Sequence, residues 1–350
     1  MTGLPRVEFY DFLSTQKKSL YLTHKCVHAY IKGANNLCYE NEEGVEQKIK
    51  LDKLRRLVLV GHICNIDFEV LYKLLWKNIP VDFIDIWGRC IGNLVQINKN
   101  ADYFSLRQEQ FESSKDALEC ARLVLLAKVL NQKETIRRRV NQRLSDINHS
   151  INRIKLAKDE DQLRGGEGYI ARLYFKNWKT IVDNFDWNGR VMHPAIDPVN
   201  SMLSIGYSIL CSRLCASLRC VGLNPQLGFF HQIRGKNKAL AYDLMEQFRP
   251  FVDTTVLAMI RTKKVRPEKF GYDENKDKVT FKDDSFRVMI NAFEKMFCNT
   301  VSIYASDGYT STIVKRTLND LLDDCAENFA QYLKGKASFL IWSKVPCNVI

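Results

Sequence analysis

Apolar positions change their spacing once along this chain, near residue 100. Before that point they fall in short alternating or nearly continuous runs over 19–23, 26–31, 37–40 and 47–51, separated by Gly33 and by a turn over 41–44. Runs over 57–60 and 81–86 predict two more strands, with a helix over 67–76 between them. After residue 100 the period becomes helical. Ile136, Val140, Leu144, Ile147, Ile151 and Ile154 step by three or four, which predicts one long amphipathic helix over 128–158. Asp197 followed by Pro198 predicts an N-cap and first turn, opening an apolar helix through Met202, Leu203, Ile205, Ile209, Leu210 and Leu214 that stops near Gly222. Leu240, Leu244 and Phe248 mark a single apolar stripe that Pro250 ends, and further helices are expected over 252–260, 286–297 and 313–333. The predicted fold class is therefore α+β: a small, mostly-β N-terminal domain over residues 1–100, read as a scaffold or dimerisation module, then a larger all-α domain over 101–350.

Charge sharpens this picture. Fifty-two Lys and Arg against 40 Asp and Glu give +12, a surplus that points to a polyanionic partner, nucleic acid or an acidic membrane surface. The stretch over 128–158 carries nine of those bases and only Glu134 and Asp146 as acids, so its polar face is a candidate for phosphate contacts as well as a simple solvated face. Arg261, Lys263, Lys264, Arg266 and Lys269 form a second basic cluster in an expected loop. The first residues carry charges where a signal peptide needs an apolar run, so a cytoplasmic protein without a membrane span is expected. Eleven cysteines without a CxxC pair read as reduced, buried thiols rather than a zinc site.

Candidate chemistry concentrates in the helical part. Asp243 and Glu246, three apart on the striped helix, lie on neighbouring positions of one face, and His231 precedes them in a loop containing Gly235. Two carboxylates and an imidazole suit a hard divalent cation, while the same residues also fit a solvated acidic face beside a loop histidine. Glu167 follows Gly165 and Gly166 near an expected helix start, where capping alone would explain an acid.

Four motifs occur in a fixed order: Arg164-Gly165-Gly166-Glu167-Gly168; Asp197-Pro198-Val199-Asn200 with Leu203-Ser204-Ile205-Gly206-Tyr207; Gly222-Leu223-Asn224-Pro225 with Gly228-Phe229-Phe230-His231; and Asp243-Leu244-Met245-Glu246-Gln247-Phe248-Arg249-Pro250. Together they resemble the CRISPR-associated integrase family Cas one, which acquires new spacers in prokaryotic adaptive immunity. The resemblance implies that Glu167, His231 and Glu246 are catalytic metal ligands for Mg²⁺ or Mn²⁺, with Asp243 a second acid beside the site. It implies a DNA 3′-hydroxyl attacking a repeat phosphodiester, work as a homodimer, and assembly with the small partner Cas two on spacer and repeat DNA. His231 as a general base is an alternative role. A stand-alone nuclease for branched DNA and a non-catalytic DNA scaffold are the competing functions. Arg137, Arg138, Arg139, Arg143, Arg164, Tyr174, Arg261, Lys263 and Lys264 are the candidate DNA contacts.

Overall fold

The structure, a computed structural model, describes residues 18–347 except 23–25, 42, 62–64, 85–89, 97–108, 111–115, 138–150, 192–194, 196, 232–237, 274–277 and 283. In the N-terminal third, β1 (Lys18–Leu22), β5 (Leu54–Val60) and β7 (Val81–Ile84) run parallel, and β8 (Cys90–Leu94) lies antiparallel beside β7. β2 (Cys26–Lys32), β3 (Asn36–Asn41) and β4 (Glu46–Lys50) form an antiparallel meander, with the short β6 (Asn65–Ile66) parallel to β2. Parallel pairing of β5 with β7 requires a crossover, and helix α1 (Phe68–Trp76) supplies it. Leu22, Leu57 and Val81 of one sheet, Ala29 and Leu37 of the other, and Val70 and Leu74 of α1 share one apolar core.

A second, larger core gathers α2 (Ala117–Arg137), α3 (Glu160–Lys176), α4 (Pro198–Cys220), α5 (Ala239–Met245), α6 (Arg249–Arg261), α7 (Ser285–Cys298) and α8 (Leu318–Leu333). α4 runs through its middle. Asp197 caps it by accepting from the Asn200 N–H at 2.8 Å, and Met202, Leu203, Leu210, Leu214 and Leu218 have no exposure at all. By length and composition α4 could cross a membrane, but 78% of its apolar window is buried inside the fold, the setting of a core helix. Gly206 is where α4 meets its neighbours most closely. A Cβ there would lie 2.7 Å from Phe293 Cζ and nearer still to Val252 Cγ1, so only glycine lets α6 and α7 close onto it.

The all-α expectation for the C-terminal region holds for most of it and is corrected in three places. A hairpin of β9 (Phe270–Asp273) and β10 (Lys278–Phe281) follows α6, and β11 (Thr300–Ser306) lies between β12 (Ser311–Thr317) and β13 (Ile341–Ser343) in a three-stranded sheet. The helix expected over 313–333 begins only at Leu318, behind a capping box of Thr317 and Asp320. Thr312, Ile313 and Val314 are β-branched and pair with β11 across the Asp307-Gly308 turn, where Gly308 adopts φ 93°. For the long helix expected over 128–158, the structure describes α2 as far as Arg137 and a helical segment over 151–155; the part between, with Arg138, Arg139 and Arg143, lies outside the described residues.

Buried polar bonds tie the two cores together. Arg213 on α4 donates to Tyr21 on β1, to Glu294 on α7 and, at 2.6 Å, to Asn319 on α8, and its guanidinium lies 3.9 Å from the Phe297 ring centre. Arg55 on β5 pairs with Asp320 and Asp323 of α8.

Candidate active site

The helix that begins at Ala239 breaks at the residue the chemistry needs. α5 gives way to a 3-10 turn over Glu246–Phe248, and the chain resumes as α6 at Arg249 with Pro250 in the first turn. Pro250 has no N–H to return to the Glu246 carbonyl, which accounts for the break. Leu240, Leu244 and Phe248 nevertheless keep their stripe fully buried. The effect is to hold Glu246 at a fixed bend against the core.

Asp243 does not share a spot with Glu246, contrary to the reading of one acidic face. Its carboxylate turns to the loop before α5 and accepts the N–H groups of Phe229 at 2.6 Å, Phe230 at 3.0 Å and His231 at 2.8 Å. It also meets His231 Nδ1 at 2.6 Å. An ionised carboxylate only accepts, so Nδ1 is the donor in this contact, and in the neutral ring Nε2 is the nitrogen with the lone pair. Gly228 makes room for this: a Cβ there would lie 2.5 Å from Asp243 Oδ2.

Glu167 sits in the interior of α3, not at a helix start. The cap is Asp159, which accepts from the Gln162 N–H at 2.8 Å, so the capping explanation for Glu167 falls away. Gly166 faces Ile154 and Arg153, where a Cβ would make ordinary contact at 3.5 and 3.7 Å, so packing at that point does not require glycine.

These elements meet around a cavity of 620 Å³. Glu167, His231 and Glu246 all line it, with Lys128 and Gln132 from α2, Tyr207 from α4 and Arg249 from α6. Lys128 Nζ stands 2.6 Å from Glu167 Oε1 and 2.6 Å from Glu246 Oε2, while Arg249 holds Glu246 Oε1 at 3.0 Å. Burial alone would favour the neutral acid, but Arg249 and Lys128 outweigh it and draw the Glu246 carboxyl down to about 2. Burial likewise opposes the Lys128 ammonium, and the attraction of Glu246 and Glu167 overcomes it, leaving the group raised above its ordinary value. Further along the cavity Arg172, Lys176, Lys179 and Arg190 add positive charge, beside Phe175 and Trp187. Six cations against two acids on the lining make this a receptacle for an anion.

The donor set is chemically right for a divalent cation. Two carboxylates and an imidazole whose Nδ1 is turned to Asp243 suit a hard to intermediate ion, and the acceptor Glu246 Oε2 is met by the Lys128 ammonium at 2.6 Å. As the side chains stand, among the described residues no three His, Cys, Asp or Glu are arranged to hold an ion, and the Lys128 ammonium takes the gap between the acids.

The expected DNA contacts divide. Tyr174 is corrected: it is fully buried and donates to Asp253 at 2.9 Å, out of reach of any strand. Arg164 donates to Glu160 and to the Phe230 carbonyl, bracing the His231 loop, and Arg137 forks onto Glu134. Arg261, the last residue of α6, and Lys263 and Lys264 just beyond it are exposed. Sequence reasoning missed Lys128 by counting it with a solvated basic face, whereas it is 6% exposed. It also missed Lys176, Lys179, Tyr207, Arg190 and Arg249. Arg249 was legible, since a residue three beyond Glu246 shares its helical face.

The family described as CRISPR associated protein Cas1 matches residues 10–295. The chain belongs to that family. Among curated relatives, a CRISPR-associated endonuclease Cas1 of Thermodesulfovibrio yellowstonii is 28% identical over 276 residues, covering 75% of this chain and 86% of its own. One from Thermus thermophilus is 30% identical over 251 residues, covering 71% and 78%. Among solved structures, a casposase bound to its integration product shares the fold at TM-score 0.72 with 24% identity over 91% of both chains. A Cas1 protein of Thermotoga maritima matches at TM-score 0.72, 20% identity, and 92% of this chain and 99% of its own. A Cas6-RT-Cas1–Cas2 complex matches at TM-score 0.72 and 22% identity, with 97% of this chain covering 37% of that one.

Proposed function

We propose that this chain is a divalent-metal-dependent DNA strand-joining enzyme, placing a DNA 3′-hydroxyl on a phosphodiester of a CRISPR repeat and so inserting a new spacer. The observation that carries the reading is that Glu167, Glu246 and His231, from three separate elements, line one cavity whose remaining charge is positive, the two acids joined through Lys128. Membership of a family whose relatives are named endonucleases, and a fold shared with a protein bound to its integration product, support it.

Glu167, Glu246 and His231 Nε2 would hold Mg²⁺ or Mn²⁺, with the imidazole tilting preference toward Mn²⁺. Such an ion supplies a lowered hydroxyl pKa and offsets charge developing at the phosphate. Asp243 keeps the imidazole turned and its Nδ1 protonated. Arg249 fixes one oxygen of Glu246. Arg172, Lys176, Lys179 and Arg190 receive the backbone phosphates of the strand, a contribution that weakens with salt. Among the described residues no Ser or Cys lines the cavity, and direct exchange of phosphodiesters suits this lining better than a covalent enzyme intermediate.

The partners follow from the same reading: spacer and repeat DNA, a second copy of the chain, and a Cas2 subunit. The similarity to a complex that contains Cas2 supports the last. Phe68, Tyr72 and Trp76 form a solvent-facing ladder on α1, 78%, 51% and 64% exposed, and this supports docking of a second copy at the N-terminal region.

A joining assay with Mn²⁺, a labelled short duplex and a supercoiled repeat plasmid tests the function. Wild type joins, while His231→Ala binds DNA without joining. Cleavage of branched DNA without joining would replace this reading with that of a stand-alone nuclease; binding indifferent to metal and without either reaction would leave a scaffold.

A further inference from the structure

We infer that Lys128 is a built-in counter-cation that holds Glu167 and Glu246 together before a divalent ion arrives and competes with that ion for both carboxylates. The inference rests on the metal reading of this site. Three observations carry it. The ammonium is within 2.6 Å of both acids, although one comes from the middle of α3 and the other from the bend before α6. Its side chain is only 8% exposed, so bulk water does little to screen it from either partner. The one ammonium is shared between two carboxylates rather than committed to either, so both contacts are open to a competing cation.

Two acids brought this close without a cation would repel one another, and the buried Glu246 would retain only Arg249. Lysine suits an exchangeable role better than arginine does. It is a point charge on a flexible stem, without the planar fork that locks a guanidinium onto a carboxylate. When an ion takes the two acids, the stem can carry the ammonium into the adjoining cavity, on the side where Gln132, one turn along α2, also lines the wall. A strand phosphate lying there would receive it. Lys128 is thus a positioning residue whose charge passes from the acids to the substrate.

The test uses Mn²⁺ titrations of the full chain, followed by electron paramagnetic resonance, with thermal midpoints in chelator as a second readout. Lys128→Met is expected to bind Mn²⁺ about tenfold tighter than wild type, because the competing charge is gone, and to have a lower metal-free midpoint that saturating Mn²⁺ recovers. Lys128→Arg keeps the charge and is expected to bind Mn²⁺ no tighter than wild type. Equal or weaker binding by Lys128→Met overturns the inference while leaving the metal site in place. Tightening in both variants also overturns it, since charge would not be the cause. Should Lys128→Met not fold, Lys128→Gln with the same expected tightening takes its place. Absence of Mn²⁺ binding to wild type and variants alike removes the metal reading itself, and this inference with it.

Discussion

Two clusters of buried charge in this protein are built from the same residue types and behave differently. At the junction of the two cores, Arg213 is met on every side by Tyr21, Glu294, Asn319 and the Phe297 ring, and a neighbouring Arg55 engages Asp320 and Asp323. At the cavity, a lysine holds two acids by charge, one acceptor oxygen stays without a proper hydrogen bond, and the cluster opens onto 620 Å³ of space. The first arrangement uses planar, multiply bonded guanidinium chemistry and has no vacancy for a guest. The second leaves lone pairs and room. Burial of charge therefore serves as a fastening in one place and as readiness for a ligand in the other, and what separates them is access: each cluster has a buried polar atom without a hydrogen bond, Arg213 Nε and Glu246 Oε2, but only the second opens onto a cavity.

Breaking the fastening should have the largest effect on stability. Arg213→Met is expected to lower unfolding free energy by about 3–5 kcal/mol, because Glu294 keeps its charge and loses its partner. Denaturant titration measures it, and a change below about 1 kcal/mol would equate this cluster with an ordinary surface pair.

At the cavity the expected loss is of function instead. Glu167→Gln should reduce the joining rate by at least about 100-fold while lowering the thermal midpoint less than Arg213→Met does, since Glu167 is partly exposed and Lys128 keeps Glu246 as a partner. A stability loss matching that of Arg213→Met would erase the distinction drawn above.

Asp253, buried on α6, accepts from the hydroxyls of Tyr174 and Tyr207, and burial pushes its carboxyl from 3.8 up to about 6. A raised carboxyl binds its proton more readily in the folded state, so it favours folding below pH 4 and loses that contribution as pH rises through 6. The swing is about 3 kcal/mol. Asp253→Asn, which keeps an acceptor but cannot titrate, should flatten the stability profile over that window, measured as the difference between the two proteins' denaturation curves. An unchanged profile would assign the pH dependence elsewhere.

The smallest effect expected is that of Asp243→Asn. It should slow joining by about 10–100-fold through a less well-oriented His231, without abolishing it. Loss as complete as in His231→Ala would make Asp243 a direct participant.

The architecture was legible wherever period and punctuation agreed. The six strands expected over 19–86, the Asp197 cap and the stripe of Leu240, Leu244 and Phe248 reappear in the structure, whereas β6 and β8 were not expected. Reading failed where helix and strand compete locally. Ser311–Thr317 sits beside a strong helix and was absorbed into it, although Asp307-Gly308 between β-branched runs was a hairpin signal. The candidate site divided in the same way: the ordered motifs pointed to Glu167, His231, Asp243 and Glu246, but Tyr174 was taken for a strand contact and Lys128 for a solvated charge.

Sequence by itself determined which helices form, which of their faces are apolar, and which chemical groups the motifs contribute, because these depend on neighbours within a few residues. Only the tertiary structure decided that Asp243 backs the histidine instead of joining Glu246, and that a lysine 39 residues before Glu167 lies between the two acids. Those facts depend on how α2, α3 and the bend at Glu246 pack in three dimensions. The energy of a buried charge is set by what stands within a few ångströms of it, whatever the separation along the chain.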